Sequence, residues 1–399
     1  MSALLNRQLR VDPQPSISTT SEDFTINPRV ELTSKINDDE LLFTLSGVNV
    51  SIANALRRII LSEIPLVVFR VSPNDKNKCN IITNTCGLNN EIVKHRLSCI
   101  PIHIKDVESF PIKNYIMELN VQNNTDTSMV VTTKDFVIKD LVTGNPLPKD
   151  RMIEIFPAND ITGDHIDFVR LKAKPAEELQ GKTIHLTCEF DIGTAKEDGA
   201  YNVVSTCSYG NTIDEAAQEA KLQKLKQKWK DEGKKESEIE FEATNWKLLE
   251  GKRIFKNDSF DFIIQSIGVY TNAEILVNAC KIMMKKLENF DSIIDKDEIE
   301  IKVADSTTSN CYDIILENED YTLGKVIEYF LLSKFYERGI LSFCGFKMLH
   351  PHDPYSLIRV AYKEPVEVAY IKGNLKECVY HSLDVFKKIR KEFLKLVSR

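Results

Sequence analysis

A chain of 399 residues is long enough for two or three domains, each burying its own core, so peptide-scale functions are excluded. At 42% hydrophobic and 28% charged, with 15 Gly and 14 Pro, it has the composition of a globular protein and of neither a collagen-like nor a disordered one. Lys and Arg number 52 against 59 Asp and Glu, and the net charge of -7 gives the chain as a whole no electrostatic drive to coat nucleic acid or an anionic membrane. The nine cysteines are odd in number and scattered, and no signal-peptide pattern opens the chain, which points to a reducing, intracellular compartment. The longest apolar run, Ile59 to Val71, is interrupted by Ser62, Glu63, Pro65 and Arg70. It falls short of the roughly 20 residues that span a bilayer.

Residues 1–22 are polar and unpatterned and read as a flexible arm. Leu41 to Leu45 predicts a strand, followed by an N-cap at Ser51 and an amphipathic helix with Ile52, Ala55, Leu56, Ile59 and Ile60 on one face. Pro65 ends the helix and Leu66 to Phe69 reads as a buried strand. Residues 75–178 hold short β-patterned runs (Tyr115 to Val121, Ser128 to Thr133, Phe136 to Ile138, Ile166 to Lys172) and predict a β-rich insert. Ile184, Leu186, Cys188, Phe190 and Ile192 then alternate with polar residues, the pattern of a half-buried strand, read here as the return to the main sheet. Ile213 to Glu250 is Lys/Glu-rich with Leu222, Leu225 and Trp229 at helical spacing, and predicts a solvated or partner-docking helix.

The strand and helix near the N-terminus recur later in the chain. Ile314 to Leu316 predicts a strand, Thr322 a cap, and Leu323, Val326, Ile327, Phe330 and Leu331 an apolar helix face. Positions 52, 55, 56, 59 and 60 match 323, 326, 327, 330 and 331 under one offset of 271 residues, and a strand from Leu341 to Met348 follows. Two long helices close the two halves. Asn272 to Phe290 carries Leu276, Met283 and Phe290 seven apart, and Lys372 to Leu396 carries Val379, Phe386 and Phe393 seven apart, with a polar interruption at Ser382. The expected fold is α+β: two related halves packed about a pseudo-two-fold axis, as in a homodimer. The predicted units are 23–74 with 179–290, the insert 75–178, and 291–399.

Catalytic signatures are missing. No phosphate-binding glycine loop, nucleophile elbow or H-E-x-x-H helix occurs. Cys79, Cys86, His95 and Cys99 fall within 21 residues, but Cys79 to Cys86 is too wide for a zinc knuckle, so no metal is expected. His350, His352 and Asp353 are the residues a metal-dependent hydrolase would use, with a further ligand from elsewhere. Asp38 and Asp39, or Asp295, Asp297 and Glu298, lie in polar connecting segments and read as solvated charge rather than a two-metal site. The adjacent arginines of Asn54-Ala55-Leu56-Arg57-Arg58 stand out, because forked guanidinium donors can dock on carboxylates or carbonyls of another protein.

Those residues carry a resemblance. Phe43 to Val48, Ile52 to Ile60 and Glu63-Ile64-Pro65 resemble the alpha motif of the RNA polymerase alpha family, and His95-Arg96-Leu97 with Ile100-Pro101-Ile102 resembles a further family stretch. Phe260-Asp261-Phe262, Ser266-Ile267-Gly268 and Glu274-Ile275 resemble its return strand and terminal helix. Glu317 to Gly324 and Gly345-Phe346-Lys347 with His350-Pro351 resemble the small partner, the archaeal L or eukaryotic eleventh subunit, with Tyr321 where that partner usually has His and Lys325 where it has Asn. The resemblance implies a fused, non-catalytic assembly scaffold of a multisubunit DNA-directed RNA polymerase, a single copy contacting the largest and second-largest subunits and other small ones, with no direct nucleic-acid or membrane contact and no cofactor. It implies Asn54, Arg57 and Arg58 at the second-largest subunit, and Leu276, Met283, Phe290, Leu323, Ile327, Phe330, Val379, Phe386 and Phe393 as the internal dimer core. The fused arrangement resembles that of large cytoplasmic DNA viruses, which implies a viral factory and virion location, with the nucleus as the other site. The alternative within transcription is an adaptor that binds the polymerase without being a core subunit.

Overall fold

The structure is a computed structural model that describes residues 26–37, 40–174 and 176–397. The predicted N-terminal arm and the Asp38-Asp39 pair lie outside them. The chain runs β1 (Arg29–Asn37), β2 (Glu40–Ser46), α1 (Val50–Ser62), β3 (Leu66–Phe69), β4 (Cys79–Asn84), α2 (Asn90–Ser98), β5 (Tyr115–Asn123), β6 (Met129–Thr132), β7 (Val137–Asp140), α3 (Lys149–Ile155), β8 (Asp167–Leu171) and β9 (Lys182–Gly193). It continues β10 (Val204–Ile213), α4 (Glu215–Asp231), α5 (Glu236–Leu248), β11 (Phe255–Ser266), α6 (Asn272–Asp295), β12 (Ile301–Val303), β13 (Cys311–Glu317), α7 (Tyr321–Leu331), β14 (Leu341–Lys347), β15 (Tyr355–Tyr362) and α8 (Val368–Val397).

Two four-stranded antiparallel sheets carry the main body, with strand orders β1-β2-β11-β10 and β12-β13-β15-β14. The connectivity is the same in both: two strands, a helix, two strands, a long helix. In this correspondence β14 matches β10, so β3, read from sequence as the counterpart of the strand at 341, belongs elsewhere. Helix α1 packs on α7, and α6 on α8. Their apolar faces close a core in which Leu276, Met283, Phe290, Leu323, Ile327, Phe330, Val379, Phe386 and Phe393 are buried. The polar interruption in α8 is satisfied locally, because the Ser382 hydroxyl donates to the Cys378 carbonyl at 2.7 Å.

In each first helix the cap lies two residues before the one read from sequence. Asn49 caps α1 by accepting from Ser51 N, and Asp320 caps α7 by accepting from Thr322 N. Gly47 (φ 72°) and Asn318 (φ 56°) make the left-handed turn two residues ahead of each cap, a pair related by the same offset of 271.

The alternating strand at 182–193 does not rejoin the main sheet. β9 pairs with β3, β4 and β5 in a separate sheet ordered β3-β9-β5-β7, with its own core around Phe69, Phe136, Phe156, Phe168 and Phe190. Alternation reports that one face is buried and not which strands lie alongside. This separate sheet draws on the chain from β3 through β9. Tyr270 ties it to the main body, donating to the carbonyls of Pro65 (3.1 Å) and Lys105 (3.3 Å). The charged stretch after Ile213 is two antiparallel helices, α4 and α5, reversing at Gly233 (φ 80°) around Leu222, Ile239 and Ala243.

Candidate docking surface

Helix α1 buries one face and presents Asn54, Arg57 and Arg58 as half-buried side chains on the other. Arg57 Nε and Nη2 both donate to Asn54 Oδ1, at 3.1 and 2.9 Å, one turn back on the helix. That pairing holds the guanidinium through its Nε and Nη2 donors. Arg57 lies near Cys207 and Tyr209 of β10, whose thiol and phenol burial pushes up, the thiol to about 12.

Arg58 differs from the expectation. Its Nε donates to Thr322 Oγ1 at 2.9 Å and its Nη2 pairs with Asp320 Oδ2 at 2.8 Å, so it grips the start of α7 inside the chain. Two adjacent arginines on a helix point about 100° apart, and only the tertiary fold decides which turns inward. Burial would push the Asp320 carboxyl up, but the hydrogen bonds from Thr322 and the charge of Arg58 hold it below the usual carboxylate range.

Beside α1 stands a cluster that sequence reading missed. Arg70, 8% exposed at the end of β3, donates to Asp191 (2.5 Å) and to the Ile192 carbonyl (2.7 Å), pairs with Glu197 (2.7 Å), and lies 5.7 Å from the Tyr201 ring centroid. Lys196 N donates to the Ser62 carbonyl at the end of α1 (2.8 Å), so the connection between β9 and β10 is clamped against the helix. The signal available was one arginine closing an otherwise all-apolar strand. Burial would raise the Asp191 carboxyl, yet Arg70, the Ile192 N–H and Lys78 hold it low. A depressed carboxyl stabilises the fold above its unfolded pKa of about 3.9, and that contribution is lost as pH falls through the lower folded value. Asp191→Asn is therefore expected to lower the thermal midpoint at pH 7, with the difference from wild type closing as the pH falls below the unfolded carboxyl value of about 3.9 and through the lower folded one. A gap that stays constant with pH would show the carboxylate charge to be irrelevant.

The candidate metal ligands are not brought together. Cys79 is buried in β4 opposite Cys188, Cys86 is half-buried and directs its thiol at the Leu88 carbonyl, His95 lies on α2, and Cys99 is exposed. His350 and His352 sit on an exposed turn, where His350 Nδ1 accepts from the His352 N–H at 3.1 Å. Among the described residues no group of three or more His, Cys, Asp or Glu is placed to hold a metal ion. Nor, among them, is any helix long and apolar enough to cross a membrane.

Sequence comparison gives the chain a family. The profile of the RNA polymerase Rpb3/Rpb11 dimerisation domain matches residues 42–287, and the chain belongs to that family. Among its relatives is DNA-directed RNA polymerases I and III subunit rpac1 of Dictyostelium discoideum, 26% identical over 70% of this chain and 85% of the relative. The mouse RPAC1 subunit is 24% identical over 69% and 87%. The archaeal subunit Rpo3 of Methanosphaera stadtmanae is 23% identical over 45% and 60%.

Proposed function

We propose that this protein is a non-catalytic assembly scaffold of a multisubunit DNA-directed RNA polymerase, carrying both alpha-like halves in one chain. The observation that carries the reading is the packing of α1 on α7 and α6 on α8. The family match ends at residue 287, inside α6, and the surface that α6 needs covered is covered by α8 of the same chain. The first half comprises 26–62 with 204–295, the insert 63–203, and the second half 296–397, related by a pseudo-two-fold axis. Fusion replaces a bimolecular encounter by an intramolecular one at an effective concentration of roughly millimolar. The fused arrangement resembles that of large cytoplasmic DNA viruses, so the enzyme is a viral one working in cytoplasmic factories and carried in the virion.

Asn54 and Arg57 face the second-largest subunit, and Arg58 is reassigned to the internal interface. Affinity purification of the tagged chain from cells that naturally express it, read by native mass, is expected to recover two much larger chains at one-to-one stoichiometry. Recovery of a lone folded monomer would overturn the scaffold. Arg57→Ala is expected to weaken capture of the second-largest subunit roughly tenfold while leaving the thermal midpoint unchanged. Capture equal to wild type would remove Arg57 from the contact.

A further inference from the structure

Two ion-pair sets where α1 and α6 meet the start of α7 cross between the halves with the same polarity, whereas a third and more exposed pair, Lys376 of α8 with Asp295 at the end of α6, has the reverse polarity. In the first two sets the first half supplies the cations Arg58 and Lys286, and the second half the anions Asp320 and Glu319. Lys286 of α6 reaches Glu319 at 3.0 Å and Glu63, at the end of α1, at 3.1 Å. The Lys286, Glu63 and Glu319 side chains keep only 16%, 11% and 22% of their surface. Uncompensated charge at such a place is costly.

The internal repeat shows what each half would meet in a copy of itself. The offset of 271 places Asn49, Ser51 and Val48 of the first half where the second has Asp320, Thr322 and Glu319. It places Tyr329 where the first half has Arg58. The sheet registers, Phe43 opposite Phe262 and Ile314 opposite Ile358, align the long helices at an offset of 96, which places Ser382 where α6 has Lys286. Two first halves would thus set Arg58 against Asn49 and Ser51, and Lys286 against Val48. Two second halves would set Asp320 against Tyr329 and Glu319 against Ser382, whose hydroxyl is already given to the Cys378 carbonyl. The apolar faces, by contrast, are alike in both halves and do not discriminate.

Building on the two-half reading above, we propose that these crossed ion pairs form a charge code that admits only unlike halves. The partner this surface accepts is a domain with carboxylates immediately ahead of its first helix, whether in the same chain or in another. Specificity of this kind comes from what the wrong pairing leaves unpaired more than from what the right one gains. In coiled coils, flanking charges and single polar residues choose partners in the same way.

The test uses full-length chains. Lys286→Glu places three carboxylates together, and Glu319→Lys places two ammonium groups there. Each is expected to lower the thermal midpoint by roughly 5–10 °C and to drive the chain from one copy per particle into larger assemblies. The swap Lys286→Glu with Glu319→Lys is expected to regain most of the midpoint and the single-copy mass. Co-expression of the two single variants is expected to give a one-to-one dimer, in which each first half takes the complementary second half of the other chain. Single variants with wild-type mass and midpoint, or a swap no more stable than either single change, would overturn the code. Failure of the scaffold reading registers separately, as a wild-type chain that recovers no large partners whatever the swap does.

Discussion

Phe393→Ala is expected to lower the free energy of unfolding by about 3–5 kcal/mol and to loosen the two halves from each other. Phe393 is fully buried on α8, near the C-terminal end of the second half, yet its ring meets Phe43 of β2 edge-on, with centroids 5.6 Å apart. Phe43 in turn stacks on Phe262 of β11 at 5.0 Å. The aromatic contact thus runs from the last helix into the first sheet, and truncation leaves a cavity bordered by both halves. Conservative Phe393→Leu should cost far less, because volume is largely kept. The check is denaturant unfolding followed together by near-ultraviolet circular dichroism and limited proteolysis. If the alanine variant unfolds at the wild-type denaturant concentration, the halves are not held through this ring.

What the sequence revealed best is what period and burial encode. In α1, α7, α6 and α8 the apolar residues recur at helical spacing because one face must leave water, and every such position in the predicted core is buried. Helix ends were less legible. Ser51 and Thr322 are reasonable caps by residue type, but Asn49 and Asp320 stand ahead of them with equally competent oxygens, and the φ values of Gly47 and Asn318 decide. Pairing partners were not legible at all for β3 and β9, since an alternating or all-apolar strand fits any buried sheet. The candidate site shows the same division. Asn54 and Arg57 stand where the helix pattern puts them. The inward turn of Arg58 and the Arg70, Asp191 and Glu197 cluster depend on residues 262, 121 and 127 positions away, which no local pattern reports.

Gly324→Ala is expected to destabilise the second half by roughly 1–3 kcal/mol, although alanine is the better helix former. Gly324 lies in the first turn of α7 with ordinary helical φ, so the residue is needed for space and not for backbone freedom. A Cβ there would sit 2.0 Å from a Phe346 ring carbon, far inside contact distance. The ring cannot simply swing away: it meets Tyr321 edge-on at 5.0 Å, and the Phe346 N–H donates to Glu328 Oε1 at 2.8 Å, which holds β14 beside α7. The corresponding position of α1 under the 271 offset is Ala53, fully buried, so a methyl is accommodated in one half and refused in the other. The clash therefore predicts a rescue. Phe346→Leu should be mildly destabilising alone, and Gly324→Ala with Phe346→Leu should be more stable than the sum of the two single changes implies, because the smaller side chain frees the volume the methyl needs. Thermal midpoints of the four proteins measure that coupling, and strict additivity would show that the ring and the glycine do not share the space.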